Sequence, residues 1–312
     1  MSSGFSICWR FAVSVSFLIA IGWWLDGQAI VERLLKLEAR WLVVALVLSC
    51  FQVVMSAWRW RFIARRLGLE LALSTAIREY YLAVFINQLV PGGVVGDVSR
   101  AWRHAQTEET GPVVRAVILE RASGQFIMIG VAICSCFVLR ESLQLEASII
   151  WILAAIISVV ALAFSLWVRR RVRSDRTLVD NLLRDTWTAL LARDAFLVQL
   201  VTSALIVSSY LAMFLIAARA LGSTTALSTL LPLIAPVLIA MLIPVSIAGW
   251  GLREGAAALL WTAAGLAAAD GAAISAAYGL LVVFSSVPGG FVLISLIRAK
   301  GILARHHHVV GD

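Results

Sequence analysis

Charge is what this sequence has least of. Of its 312 residues only 14% are charged and 61% are hydrophobic, whereas a soluble globular chain carries about 25% charged residues. So few charges cannot coat a water-facing surface, which excludes an ordinary soluble enzyme and a disordered chain. Cysteine is scarce as well. Cys8, Cys50, Cys134 and Cys136 all lie in apolar runs and form no C-x-x-C pair, so they read as small packing residues rather than a disulfide scaffold, a redox pair or a metal site. Three of the four histidines are His306, His307 and His308, read as a flexible basic tail. Sequences that mark chemistry are missing too: no G-x-x-x-x-G-K-[ST], no H-E-x-x-H, no G-x-S-x-G and no D-x-D. The expectation is a non-enzyme with no metal, no cofactor and no ATP hydrolysis on this chain.

What is present is apolar sequence, with a mean hydropathy of +0.93. At about 20 residues per spanning helix, the chain has room for about six to nine membrane segments and little else. The expected fold is all-α: a single transmembrane domain over 1–312, with about six to eight spanning helices. Apolar segments fall at 8–25, 41–57, 77–95, 113–139, 148–168, 195–218, 227–247, 255–269 and 272–298. The first has no small-x-small cleavage site after it and reads as an uncleaved span. Tryptophans bracket three of them: Trp9/Trp23, Trp41/Trp58 and Trp151/Trp167 are 14, 17 and 16 residues apart. That is roughly 21–26 Å of helix, close to the apolar thickness of a bilayer whose interfaces favour indoles.

The net charge of +8 would suggest nucleic acid in a soluble domain. In a membrane chain it fixes topology and meets anionic lipid head groups instead. Arginines crowd loop 58–76 (Arg59, Arg61, Arg65, Arg66) and loop 169–194 (among them Arg169, Arg170, Arg171 and Arg193), so both loops are expected in the cytoplasm. That requirement constrains segment 77–95. If it crossed fully, loop 169–194 would land outside. A re-entrant hairpin that returns to its own side resolves the conflict. The C-terminal Arg298, Lys300 and Arg305 also belong in the cytoplasm, together with the N-terminus. Segments 227–247 and 255–269 satisfy this either as a second hairpin or as two full crossings.

Both interrupted places share one pattern. Leu89-Val90-Pro91-Gly92-Gly93-Val94-Val95-Gly96-Asp97-Val98-Ser99-Arg100 and Leu242-Ile243-Pro244-Val245-Ser246-Ile247-Ala248-Gly249-Trp250-Gly251-Leu252-Arg253 align as L-[VI]-P-x4-G-x3-R without a gap, 153 residues apart. They lie within stretches 87–103 and 242–255. Proline removes a backbone donor and glycine permits turns, so each reads as a broken helix ending in an arginine. Paired interruptions of this kind in two halves of a chain, related by a weak inverted repeat, point to a transporter binding site. Freed N–H groups and arginine forks there suit an anionic group. The candidate binding residues are Asn87, Pro91, Gly92, Gly93, Gly96, Asp97 and Arg100 in the first stretch, and Pro244, Gly249, Gly251, Arg253 and Glu254 in the second. Glu120 and Arg121 sit in an apolar run and are candidates for charge coupling. Tyr80 and Tyr81 read as interface residues.

The stretch Asn87–Ala101 resembles the N-x-x-x-P-G-x-x-G-G-D-x-x-R-A motif of the lysylphosphatidylglycerol synthase transmembrane region family, the flippase-like domain proteins. Leu119-Glu120-Arg121 is similar to that family's L-E-R, and Ile243–Gly255 to its P-x-S-I-x-G-x-G-x-R-E. Val95 departs from the pattern, where a second glycine is common. The resemblance implies an inner-membrane helical fold with re-entrant elements and movement of an aminoacylated, polyprenyl-linked or hopanoid-type lipid. The synthase activity in the family's title belongs to a separate soluble domain for which 312 residues leave no room. The expected function is therefore a lipid flippase of the bacterial cytoplasmic membrane. The alternatives are a membrane-embedded transferase on a lipid-linked substrate and a non-transporting accessory subunit of a lipid-biosynthesis pathway. Expected partners are a membrane lipid substrate, anionic head groups, and either a second copy of the chain or a lipid-synthesis enzyme, but no nucleic acid.

Overall fold

The computed structural model describes residues 38–90, 93–143, 176–241 and 248–309, with Trp23, Gln28, Glu32, Leu34 and Leu35 before them. The expected spans at 8–25 and 148–168, and Pro91, Gly92 and Pro244, lie outside the described residues. The described chain is helical, without a strand. In order it forms α1 (Ala39–Arg66), α2 (Leu73–Leu89), α3 (Val95–His104), α4 (Thr110–Leu143), α5 (Arg176–Thr186) running into a π-helical turn (Trp187–Leu191), α6 (Arg193–Ala220), α7 (Leu227–Ala240), α8 (Leu252–Ala263) and α9 (Ala268–Val309). Helix α9 includes His306–His308, so the expected flexible tail is a continuation of a helix.

Four helices, α1, α4, α6 and α9, are long and apolar enough to span a bilayer. Three helices stop on the same device. Gly68, Gly222 and Gly265 take positive φ just past α1, α6 and α8, and the next N–H reaches back to Ala64, Ala218 and Trp261. Helix α1 therefore runs to Arg66, well past the expected limit at residue 57, because no glycine or proline interrupts it before Gly68.

Ion pairs show which helix ends share a level. Arg66 at the end of α1 pairs with Asp194 at the start of α6. At the end of α3, His104 bonds the Glu70 carbonyl just before α2, and Arg103 pairs with Glu79 about two turns into α2. Arg115 near the start of α4 pairs with Asp185 in α5. These ends form one basic end of the molecule, which joins the described parts of both arginine-rich loops. Helices α2 and α3 leave this end and return to it, so together they form a half-crossing hairpin, α2 ending at Leu89 and α3 starting at Val95. The ridge between them is tight: a Cβ on Gly96 would overlap the Ala83 carbonyl.

The second pair mirrors this from the far end. Glu38 before α1 bonds the Ala220 carbonyl at the end of α6. Leu34 and Leu221 pack with Ala258 of α8 and with Ala268, Ala272 and Ala273 of α9. Helix α7 leaves this level and α8 returns to it, α7 ending at Ala240 and α8 starting at Leu252. Of the two arrangements the charges allowed, the hairpin is the one adopted. The two hairpins open in opposite directions, the inverted relation expected of the repeat. Helix α9 lies against α2, where Gly289 meets the Tyr81 carbonyl so closely that a Cβ would not fit.

Candidate functional site

Helix α3 is inside out. It buries Gly96, Asp97, Arg100, Ala101 and His104 and exposes Val95, Val98 and Trp102. An amphipathic helix in water does the reverse. The inversion places a charged stripe against α1, α2 and α4 and an apolar stripe where lipid lies.

The charged stripe builds a five-membered cluster. Arg100 is fully buried. Its Nη2 donates to Glu120 Oε2 at 2.6 Å and its Nε to Asp97 Oδ1 at 3.1 Å. Glu120 Oε1 accepts from Arg59 Nη2 at 2.6 Å and from the Tyr80 hydroxyl at 3.3 Å. Arg59 also donates to Ser203 Oγ on α6 at 2.9 Å. Asp97 Oδ2 accepts from Arg121 and from Asn87 Nδ2 at 3.1 Å, while Asn87 Oδ1 accepts the Gly96 N–H at 2.7 Å. Asn87 thus ties the two arms of the hairpin and caps the first turn of α3. The Arg100 guanidinium lies between two rings, 4.5 Å from Trp60 and 4.7 Å from Tyr80, a cation–π sandwich that favours arginine over lysine.

The second cluster repeats the plan with fewer parts. Arg253 lies 5.2 Å from the Trp250 ring and 5.1 Å from Tyr278, again one tryptophan and one tyrosine. Its Nη2 donates to Glu254 Oε1 at 2.6 Å, and its Nε to Ser275 Oγ at 2.9 Å. Glu254 Oε2 accepts the Gly251 N–H at 2.6 Å. At the tip, Gly249 has φ +82, and a Cβ there would meet Met241 at 2.7 Å, so glycine is required on both counts. Gly251 and Gly93 also take positive φ, at +87 and +62. Gly279 of α9 leaves the room Arg253 occupies: a Cβ there would collide with its Nη2.

The clusters differ in balance. The second is a neutral pair. In the first, Arg59, Arg100 and Arg121 face only Asp97 and Glu120 among the described residues, a surplus of one positive charge there. Arg59 Nε, Arg100 Nη1 and Arg121 Nε are buried without a hydrogen-bond partner among the described residues. Arg121 is the open side, its side chain 40% exposed. Glu120 lies about three turns into α4, about 15 Å from its start and about 8 Å past Arg115 of the basic end. Tyr210 of α6 lies within electrostatic range of Glu120 and Arg121 of the first cluster and of Tyr278 of the second.

Comparison with known families matches residues 8–289 to the lysylphosphatidylglycerol synthase transmembrane region. The chain belongs to that family. The lysylphosphatidylglycerol synthase transmembrane-region protein described here is also similar to a UPF0104 membrane protein of Pyrococcus horikoshii, 20% identical over 111 residues, which is 36% of this chain and 29% of that protein. The similarity thus spans less than a third of that relative's length. No solved structure matches. A membrane location follows from the family and the apolar helices.

In this member of the lysylphosphatidylglycerol synthase transmembrane-region family, the first two motifs fold onto one another, Glu120 of L-E-R meeting Arg100, while the third stands apart at Arg253. Sequence reading missed Arg59, which it assigned to a topological loop, and Tyr80, which it placed at the interface. It also missed Trp60, Ser203, Tyr210, Trp250, Ser275 and Tyr278. The uninterrupted helix to Gly68 was the signal for Arg59, since it carries that residue into the apolar layer.

Proposed function

We propose that this protein moves a lipid with an anionic head group between membrane leaflets, and that the cluster around Arg100 holds the head group. The observation that carries this reading is a surplus positive charge buried between apolar helices, with buried guanidinium N–H groups left over after the carboxylates of the cluster among the described residues are used. A buried cation without a counterion is costly in a membrane, and a bound anion at Arg100 Nη1 and Arg121 Nε removes that cost. Two half-crossing hairpins that open in opposite directions support alternating access around the site. Helices α2–α3 gate from the basic end and α7–α8 from the other. The arginines of the basic end support a cytoplasmic position for it, and the cytoplasmic membrane of a bacterium is the setting the reading implies. No step of bond making is assigned to the chain.

The test is reconstitution into vesicles carrying fluorescent phosphatidylglycerol, with transfer read by a membrane-impermeant quencher. Wild-type protein is expected to accelerate exchange over protein-free vesicles. Arg100→Lys, which keeps the charge but loses the planar fork and the stacking, is expected to slow it about tenfold, the equivalent of one charge-assisted hydrogen bond. Exchange no faster than in empty vesicles, or a fully active Arg100→Lys, would overturn the proposal.

A further inference from the structure

The basic end of α1 carries a cavity outside the hairpins. It measures about 290 Å³ and is lined by Trp58, Arg61, Phe62, Arg65 and Arg66. Trp58 and Phe62 stack at 5.6 Å with planes 19° apart, which gives it a rigid aromatic wall. Its three arginines are differently committed. Arg66 is fully used: Nη1 and Nη2 grip Asp194 at 2.6 and 3.0 Å, and Nε donates to the Thr188 carbonyl at 2.7 Å. Arg61 spends only Nε, on the Leu71 carbonyl at 3.0 Å, and keeps its two terminal nitrogens. Arg65 is exposed and makes no ion pair among the described residues. Among the described residues three cations therefore meet a single carboxylate, and two forks have no acceptor where an apolar helix reaches the polar layer.

A second feature runs into this cavity. Val47, Phe51 and Val54 are all exposed and lie on the same stripe of α1 as Trp58, Arg61 and Arg65, by the three- and four-residue steps of a helix. From Val47 to Trp58 the stripe is about 16 Å long, close to half of a hydrocarbon core about 30 Å thick. It is an apolar track one acyl chain in length, ending in an aromatic wall and two open guanidinium forks.

We propose that this face of α1 is a binding site for an anionic glycerophospholipid of the adjacent leaflet, separate from the buried cluster. The phosphodiester sits between Arg61 and Arg65, the glycerol against Trp58 and Phe62, and an acyl chain along Val54, Phe51 and Val47. Guanidinium forks match phosphate geometry, and the exposed stripe gives the acyl chain an apolar surface. Zwitterionic lipid gains less, because its own cation competes with the arginines for the phosphate. The site does not depend on transport.

The experiment uses the full chain in vesicles that contain phosphatidylglycerol or phosphatidylcholine with a photoactivatable acyl chain, and cross-links are mapped by mass spectrometry. Phosphatidylglycerol is expected to mark the stretch Val47–Trp58, and Arg61→Gln with Arg65→Gln to lower that yield about tenfold. Cross-links to Phe291 on α9, which is exposed at a distance in sequence, report that the variant is folded and should not change. Millimolar inorganic phosphate should leave the cross-link intact. Equal marking by phosphatidylcholine, or marking indifferent to the double variant, overturns the site. Loss of marking in inorganic phosphate overturns the lipid as its occupant in favour of a free anion.

Discussion

At the scale of single residues, a guanidinium at membrane depth needs a counter-charge and a surface. Arg100 and Arg253 obtain both from the same set of residue types, a glutamate with a tryptophan and a tyrosine. Glu120 is the keystone of the first set, because it pairs with Arg59 through one oxygen and with Arg100 through the other. Glu120→Ala is expected to destabilise the fold by about 3–5 kcal/mol, the usual cost of stranding a buried charge, read as a lower melting temperature in detergent. Asp194→Asn removes an ion pair whose carboxylate is 71% exposed, and the melting temperature should stay within error. Equal melting of both variants with wild type would contradict the keystone role. The two arginines were legible in the sequence through their matched spacing. Their aromatic neighbours were not, since Trp60, Tyr80 and Tyr278 come from other helices and no local pattern specifies which ring will meet which cation. Trp250 lies next to the repeat but carries no spacing that marks it.

At the scale of elements, the hairpins are held by backbone contact more than by side chains. Helix α3 lies on α2 so closely that any Cβ at Gly96 collides with backbone rather than with a movable side chain. Gly96→Ala is expected to cost about 1–3 kcal/mol as an overpacked contact and to lower lipid transfer, since the same shift moves Asp97 and Arg100. Gly130→Ala, which meets nothing within 4 Å, should be neutral or stabilising by up to about 1 kcal/mol as a helix interior gains alanine. A thermal melt of each, beside the vesicle assay, checks the pair. The first hairpin could be inferred from charge arithmetic because arginines forced both loops to one side. The second could not, because a hairpin and two crossings leave the C-terminus in the same place. Packing decided it, through Leu34 and Leu221 against the turn between α8 and α9.

At the scale of the whole molecule, one end is basic and the hairpins enter from opposite ends, which accessible cysteines can verify. Arg65, Gln106 and Arg184 are exposed at the basic end, and Thr224 and Ala267 at the other. Cysteine placed at each of the first three should react with an impermeant maleimide from one face of the membrane only, and at the last two from the opposite face. Reaction at Arg65→Cys and Gln106→Cys from different faces would mean that α2–α3 crosses completely. The uneven first cluster, three guanidiniums against two carboxylates, has an electrical consequence. If the protein moves lipid as proposed, the first cluster loaded with a monoanionic head group is neutral and reorients without work against the membrane potential. Empty, it moves one charge, worth about 2.3 kcal/mol per 100 mV. One-for-one exchange of anionic lipid, in which the carrier never returns empty, is therefore expected to ignore a potential imposed with valinomycin. Net transfer in one direction must respond to it, and the polarity of that response reports which way the empty protein resets.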